Sequence, residues 1–300
     1  MLYIVEAGSW IFLSYSNTQE EHLMTDKKEQ KISKPFLRWA GGKSWLIKHL
    51  PSIISDTIFR NYHEPFLGGG AVFFALAPAG VKYLSDLNEE LIETYSAIRD
   101  EKENVINVLK TFSNDNESYY EIRKTVYVDS ASKAARFIYL NNTSYNGIYR
   151  VNQKGVYNVP YGYRETPFYI EDKLSIASDL LNNAVLSACD FTQGHNNIKE
   201  QDLVFLDPPY VVSHNDNGFI KYNQKLFSLE DQERLSGFID IIKQKGAYYI
   251  LTNAAHQKIK DIFTKDGDHV IELSRASLIG GENAVRGQVN ELIFTNIGGE

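Results

Sequence analysis

The residues best suited to chemistry are Asp207-Pro208-Pro209-Tyr210. They follow a wholly apolar run, 203–206, with the length and composition of a buried parallel strand. Two prolines stop a strand at once, since neither can donate to a ladder. A carboxylate, a stiff stretch of backbone carbonyl and an aromatic ring are thus predicted at the carboxyl end of a strand, the edge where ligands bind in open α/β sheets. This set suits alkylation of an amino group conjugated to a ring. Such a nitrogen is a poor nucleophile because its lone pair is delocalised. A carboxylate and a carbonyl that accept its N–H protons favour a pyramidal nitrogen and free that pair, while the tyrosine offers its face to a flat base. Neither a covalent intermediate nor a metal is required. The plainer alternative is a tight turn that happens to hold Asp and Tyr, so the tetrapeptide needs context.

Four glycine-containing or acidic stretches supply that context. Residues 41–43, Gly-Gly-Lys, form a loop leading into a helical run at 45–50, and helix amino termini offer free N–H donors. The spacing is not that of a P-loop. Glu64-Pro-Phe-Leu-Gly-Gly-Gly-Ala71 follows a short strand near Tyr62 and precedes a helix at 72–76. Its glycines let backbone approach a ligand and tighten the strand-to-helix turn. Eighteen residues past Gly68, a second strand, 81–86, ends in Asp86, where an acid hydrogen-bonds ribose hydroxyls in Rossmann-like units. A third strand at 184–186 leads to Asp190-Phe191, an acid and a ring suited to an adenine. Together these imply a nucleoside-containing cofactor without a pyrophosphate clamp, and S-adenosylmethionine fits. Each piece alone is equally a turn or a helix cap.

The other elements frame these. The stretch 87–137 is mainly helical, with Leu91, Ile92, Tyr95 and Ile98 on one stripe; 134–140 and 167–183 also read as helix. Residues 148–151 and 156–159 flank Asn152-Gln-Lys-Gly155 and read as a β-hairpin. A polar loop spans 211–223. Ser228-Leu-Glu-Asp231 opens a capped helix with Leu235, Phe238, Ile239 and Ile242 as its apolar stripe and Gly246 at its end. A strand at 248–252 follows, implying a parallel crossover. Segments 271–273 and 291–295 read as a closing antiparallel hairpin around a Gly/Arg-rich loop at 278–287.

The chain has 300 residues, a net charge of −7, 43% hydrophobic and 23% charged residues, as a globular protein has. A single cysteine, Cys189, excludes an intramolecular disulfide and a cysteine-only zinc cage. The acidic balance argues mildly against a polyanion, but its distribution points the other way. Residues 119–164 hold seven Lys/Arg against two acids, a balance of 7 − 2 = +5, and nine of the nineteen tyrosines. Such a block reads either as a nucleic-acid face or as a charged surface over a tyrosine-filled core. Residues 1–33 read as a disordered or non-native extension. They lack a signal-peptide pattern and are too short in apolar run to span a bilayer; Met24 is a candidate natural start.

Taken in order, these pieces resemble the Dam family of DNA adenine-N6 methyltransferases, the alpha or D12 class. The resemblance runs from about 34 to 296. It is carried by Phe36-Leu-Arg-Trp-Ala-Gly-Gly-Lys43, Glu64-Pro-Phe-Leu-Gly-Gly-Gly70, Asp86-Leu-Asn88, Tyr145-Asn-Gly-Ile-Tyr-Arg150 with Asn158-Val-Pro160, and Asp207-Pro-Pro-Tyr210. It implies an α/β, Rossmann-like S-adenosylmethionine-dependent methyltransferase sheet, 34–88 and 167–300, with an inserted helical DNA-recognition domain, 89–166, carrying a hairpin. It implies that Trp39 and Lys43 lie at the methionine end of the cofactor, that Phe66 and Gly68 to Gly70 line its pocket, and that Asp86 holds the ribose. Asp190 and Phe191 would hold the cofactor adenine. Asp207 and the Pro208 carbonyl would bind the target N6 amino group, with Pro209 stiffening the turn and Tyr210 stacked on the base. The target adenine would be flipped out of the duplex, with Tyr145 bracing the gap. Arg38, Asn146, Ile148, Arg150 and Pro160 would contact DNA. Much of the family methylates GATC; the departure here is the stretch Asn141-Asn-Thr-Ser144 before the hairpin, where GATC enzymes often carry a basic and aromatic pair.

The partners implied are double-stranded DNA and no membrane. A restriction endonuclease, if there is one, would act separately, and the enzyme would be a cytoplasmic, nucleoid-associated monomer. Two other readings stay open: methyl transfer to cytosine N4, RNA or a protein amide, and a non-catalytic DNA-binding module.

Overall fold

The computed structural model describes residues 2–6, 9–13, 33–210, 227–276 and 288–298. In chain order the strands and α-helices are β1 (Leu2–Glu6), β2 (Ser9–Leu13), α1 (Leu50–Ile54), β3 (Tyr62–Glu64), α2 (Ala71–Leu76), β4 (Lys82–Asp86), α3 (Glu89–Leu109), α4 (Asn116–Lys124) and α5 (Ser130–Thr143). Then come α6 (Glu171–Leu181), β5 (Ala184–Ala188), β6 (Leu203–Leu206), α7 (Leu229–Gln244), β7 (Tyr248–Ala254), α8 (Gln257–Phe263), β8 (His269–Ala276) and β9 (Gln288–Thr295). A seven-stranded sheet runs in the order β5-β4-β3-β6-β7-β9-β8. The chain forms two compact units. One draws on Met1–Gln30, Trp45–Phe66 and Thr192–Glu300, the other on Lys31–Ser44 and Leu67–Phe191.

In the first unit β3, β6 and β7 are parallel neighbours. All four residues of β6 are buried, which is why its sequence shows no alternation. The helix α7 begins with the capping box expected at Ser228: its hydroxyl accepts the Asp231 N–H at 3.1 Å and the Asp231 carboxylate accepts the Ser228 N–H at 3.0 Å. Leu235, Phe238, Ile239 and Ile242 are all buried, each worth about 1.5–3 kcal/mol of apolar transfer, and Gly246 ends the segment at φ +71°. Leu235→Ala would cost about 2–5 kcal/mol. The closing hairpin is β8 against β9, antiparallel, and β9 also pairs antiparallel with β7. The loops at 211–223 and 278–287 lie outside the described residues.

The amino end of β6 is pinned separately. Asp202, fully buried, accepts His63 Nε2 at 2.9 Å and the Lys199 N–H at 2.9 Å on one oxygen, and the Asn61 backbone and side-chain N–H groups at 3.2 and 2.9 Å on the other. Burial by itself would raise its pKa; these bonds, the His63 one foremost, outweigh it and hold the carboxyl below its usual range. The latch fixes the register Tyr62↔Leu203, and so fixes where β6 ends and Asp207 begins.

The second unit contains the parallel pair β4–β5, with Asp86 opposite Ala188, and the helices α3 to α6, of which α3 packs along α5. Leu91, Ile92, Tyr95 and Ile98 are buried as their spacing predicts. Glu101 interrupts α3 at φ −145°, ψ 38°.

Three local expectations are revised. Tyr119, Tyr139, Tyr157 and Tyr161 are buried and their hydroxyls donate to backbone carbonyls, so much of the tyrosine block is core. Arg123 and Arg136 likewise donate to the carbonyls of Val159, Ile122 and Arg123; they stitch helices together instead of facing outward. The hairpin at 148–159 is held by a single bridge, Val151↔Tyr157, and a few turn bonds; Tyr157 and Val159 are buried, while 150–156 are exposed and bury no face that would fix a longer ladder. At the amino end, the β-branched and aromatic residues of β1 and β2 pair as an antiparallel hairpin where no regular structure was expected.

Candidate active site

The cofactor-related residues gather in the second unit around the 67–70 turn. Gly68 adopts φ +47° and Gly70 φ +65°. A Cβ on Gly68 would lie 2.7 Å from Trp39 Cδ1, and that indole is held by stacking on Tyr149 at 5.7 Å and Phe137 at 6.4 Å. Only glycine suits a position that is both left-handed and pressed by a fixed ring. The Gly68 N–H donates to Asp86 Oδ2 at 2.9 Å, the Asn88 N–H to Asp86 Oδ1 at 2.9 Å, and Tyr95 donates to the Gly68 carbonyl at 3.1 Å. Asp86 therefore shapes the glycine turn that its spacing pointed to. Burial, the largest cause, raises its pKa, opposed by the N–H bonds from Asn88, Gly68 and Leu87.

The chemistry of this donor set fits S-adenosylmethionine. Backbone N–H groups orient the Asp86 carboxylate, and an acceptor-only group with two lone pairs on each oxygen suits the hydroxyls of a ribose. The Cys189 N–H donates to the Asp86 carbonyl at 3.1 Å, which brings the chain into Asp190 and buried Phe191 at the adjacent strand end. Lys43 is buried, and its ammonium donates to the Gly41 carbonyl at 2.9 Å. Phe66 belongs to the first unit, edge-on to Phe227 at 5.8 Å.

The Asp207–Tyr210 turn emerges from β6 in the first unit with Asp207 and Tyr210 half-buried, Pro208 buried and Pro209 exposed. Two residues that sequence reasoning passed over hold its ends. Thr252, buried on β7, donates its hydroxyl to Asp207 Oδ1 at 2.8 Å. Glu291, buried on β9, bonds the Tyr210 hydroxyl. Ala254 faces Glu291 and Thr252 faces Ile293 in the β7–β9 ladder, so Thr252 and Glu291 project from one face of the sheet. A signal existed for Glu291: an acid directly before the apolar run Leu292-Ile293-Phe294 must find a partner if the strand is buried.

The six residues expected at DNA, Arg38, Tyr145, Asn146, Ile148, Arg150 and Pro160, are all exposed. The structure gathers most of them in the second unit. The Tyr145 N–H donates to the Pro160 carbonyl at 2.9 Å, the Arg38 side chain lies across Gly147, and Arg150 bonds Asn158 across the hairpin at 2.8 Å.

Residues 39–277 match the sequence profile of the D12 class N6 adenine-specific DNA methyltransferases, and the chain belongs to that family. A type II methyltransferase of Lactococcus lactis subsp. cremoris, M1.LlaDCHI, is 33% identical over 283 residues, 90% of this chain and 98% of its own. The type II methyltransferase M.MjaIII of Methanocaldococcus jannaschii is 34% identical over 246 residues, 74% and 84% of the two chains. The DNA adenine methylase of Escherichia coli K12 is 27% identical over 274 residues, 88% and 95%. The protein is thus an adenine-specific DNA methyltransferase that uses S-adenosylmethionine and acts on DNA, and cytosine N4, RNA and protein amides fall away as acceptors. No described helix is long and apolar enough to cross a membrane.

Proposed function

We propose that the enzyme methylates N6 of an adenine turned out of duplex DNA, within GATC, using Asp207, the Pro208 carbonyl and Tyr210 at the target base. The observation that carries this reading is the bracing of the turn at both ends, Asp207 by Thr252 and Tyr210 by Glu291. S-adenosylmethionine supplies, when bound, a methyl group on a positive sulfur. The Asp207 carboxylate accepts a hydrogen bond from one N6–H and the Pro208 carbonyl from the other, so the nitrogen lone pair leaves the ring; as the N–CH3 bond forms and the S–CH3 bond breaks, the single proton lost from N6 passes to Asp207 and on to solvent. Pro209 keeps that carbonyl from swinging, and Tyr210 holds the base by its face. Asp86, Asp190 and Phe191 grip the nucleoside of the cofactor, while Phe66, Gly68 and Gly70 leave room for it. Trp39 and Lys43 shape its methionine end.

Residues 34–88 and 167–300 act as the catalytic domain and 89–166 as the target-recognition domain. Extruding the adenine costs a few kcal/mol, offset by Tyr145 bracing the gap. Arg38 and Arg150 present guanidinium groups that match guanine O6 and N7 in the major groove, with Asn146, Ile148 and Pro160 beside them. A monomer suffices, each strand of the palindrome being methylated in turn, in the cytoplasm at the nucleoid. Any cognate endonuclease acts separately.

The test is transfer of labelled methyl to two duplexes, one with GATC and one with its adenine replaced, alongside Asp207→Ala. Label on the first duplex only, lost in the variant, is the expected result. Label on mixed genomic DNA but not on the GATC duplex would refute the site; full activity of Asp207→Ala would refute the chemistry.

A further inference from the structure

The Arg38 side chain is exposed, yet the backbone that carries it is clamped. The Arg38 N–H donates to Asn141 Oδ1 at 2.7 Å, and Asn141 Nδ2 donates to the Arg38 carbonyl at 2.7 Å. Asn141 is buried in the last turn of α5, so its amide closes a two-bond ring on one residue 103 positions earlier. Its neighbour Asn142 donates to the Phe36 carbonyl at 3.2 Å. Two consecutive asparagines thus do for residues 36 and 38 what an adjacent strand would do.

The side chain is fixed by a different device. After α5 the chain turns through Asn146 and Gly147, both left-handed at φ 56° and 63°, the turn that Asn-Gly favours. A Cβ on Gly147 would stand 2.7 Å from Arg38 Cδ and Nε and 2.9 Å from its Cβ. The arginine therefore runs through a groove that exists only because residue 147 has no side chain. The contact includes the Arg38 Cβ, so a rotamer change further out would not relieve it.

We propose that Asn141 and Gly147 are positioning residues for target specificity: they set the path of Arg38 so that its guanidinium and the Tyr145-to-Arg150 segment read DNA as one rigid face. The inference rests on the reading of Arg38 as a base contact. A guanidinium discriminates guanine by two parallel bonds to O6 and N7, which tolerate little displacement. Preorganising the arm through its backbone and through its aliphatic stem removes the ordering cost that a long side chain otherwise pays at binding. Within the stretch 141–144 that lacks the basic and aromatic pair, the Asn141 and Asn142 amides thus hold the reader in place.

The experiment measures kcat/KM for methyl transfer on the cognate duplex, defined by mapping methylated adenines in DNA from the expression host, and on its single-base-pair variants. Wild type is compared with Arg38→Ala, Gly147→Ala, Asn141→Ala and the double variant Arg38→Ala/Gly147→Ala. Arg38→Ala is expected to relax discrimination at one base pair about tenfold or more. Gly147→Ala and Asn141→Ala are expected to relax the same pair, and the double variant to be no worse than Arg38→Ala alone. If Arg38→Ala relaxes one pair while Gly147→Ala leaves it intact, or if the two effects add, the positioning role is refuted and the base contact stands. If Arg38→Ala changes discrimination nowhere, the base contact itself fails and the proposal with it. Asn141→Ala removes the partner of the Arg38 N–H and carbonyl; should it unfold in a thermal melt, the Gly147 cycle decides.

Discussion

Thr252→Val separates orientation of the catalytic carboxylate from stability of the fold. Thr252 is fully buried and its hydroxyl donates to Asp207 Oδ1 at 2.8 Å. Hydrogen bonds to charged groups are worth about 1.5–3 kcal/mol. Asp207 is half-exposed, so water replaces part of this and about 1–2 kcal/mol remains for holding the carboxylate in line. If that energy is felt at the transition state, kcat falls roughly 5- to 30-fold. The folded state loses much less. Valine returns about 0.8 kcal/mol by burying a methyl in place of the hydroxyl, so net destabilisation stays under about 1 kcal/mol, a few degrees or less in Tm. Thr252→Ser reverses the pattern: it keeps the donor but leaves a methyl-sized void costing about 1 kcal/mol. Single-turnover methyl transfer at saturating DNA and cofactor, paired with thermal melts, reads both quantities. Valine should be stable and slow, serine less stable and fast. If rate follows Tm in both variants, Thr252 is only packing and the orienting role is wrong.

Other outcomes follow from the same geometry. Tyr210→Phe removes the donor and Glu291→Met the acceptor of one hydrogen bond, so their effects on KM for DNA should overlap in a double-mutant cycle; strict additivity would show that Glu291 acts elsewhere. For Asp86, burial raises the folded pKa, so the charged form that accepts ribose hydroxyls is complete above that pKa and lost below it. Cofactor affinity should weaken with falling pH while still above the ordinary carboxylate value of about 4, and Asp86→Asn should remove the dependence; a dissociation constant steady down to pH 4 would contradict this. Asp202 has the opposite sign. Its folded pKa is lowered, so its stabilisation is full above the unfolded value of about 3.9 and disappears as pH falls through the folded pKa. In urea unfolding, the gap between wild type and Asp202→Asn should be constant from pH 5 to 8 and narrow below about 4; a gap that persists to pH 2 would refute the latch.

How much of this could be read from the sequence depends on how local each interaction is. The β6 strand, its proline stop, the Ser228 capping box and the stripe 235–242 involve residues within a few positions of one another, and all stand where they were expected. Thr252 and Glu291 were not found because their partners lie 45 and 81 positions away. Their roles exist only once β7 and β9 take their places in the sheet. The basic, tyrosine-rich block stayed open between its two readings for a related reason. Composition counts a tyrosine or arginine without saying which way it points, and Tyr119 and Arg123 both turn inward to the Val159 carbonyl. Asn141 shows the converse. In the sequence it stood only as the first residue of a stretch, 141–144, that departs from a family pattern; in the fold it is a two-bond clamp on Arg38. A buried amide with both of its polar ends engaged on one distant backbone costs too much if either end is left unpaired. Its presence is therefore better read as a constraint on where Arg38 sits than as a lost contact to DNA.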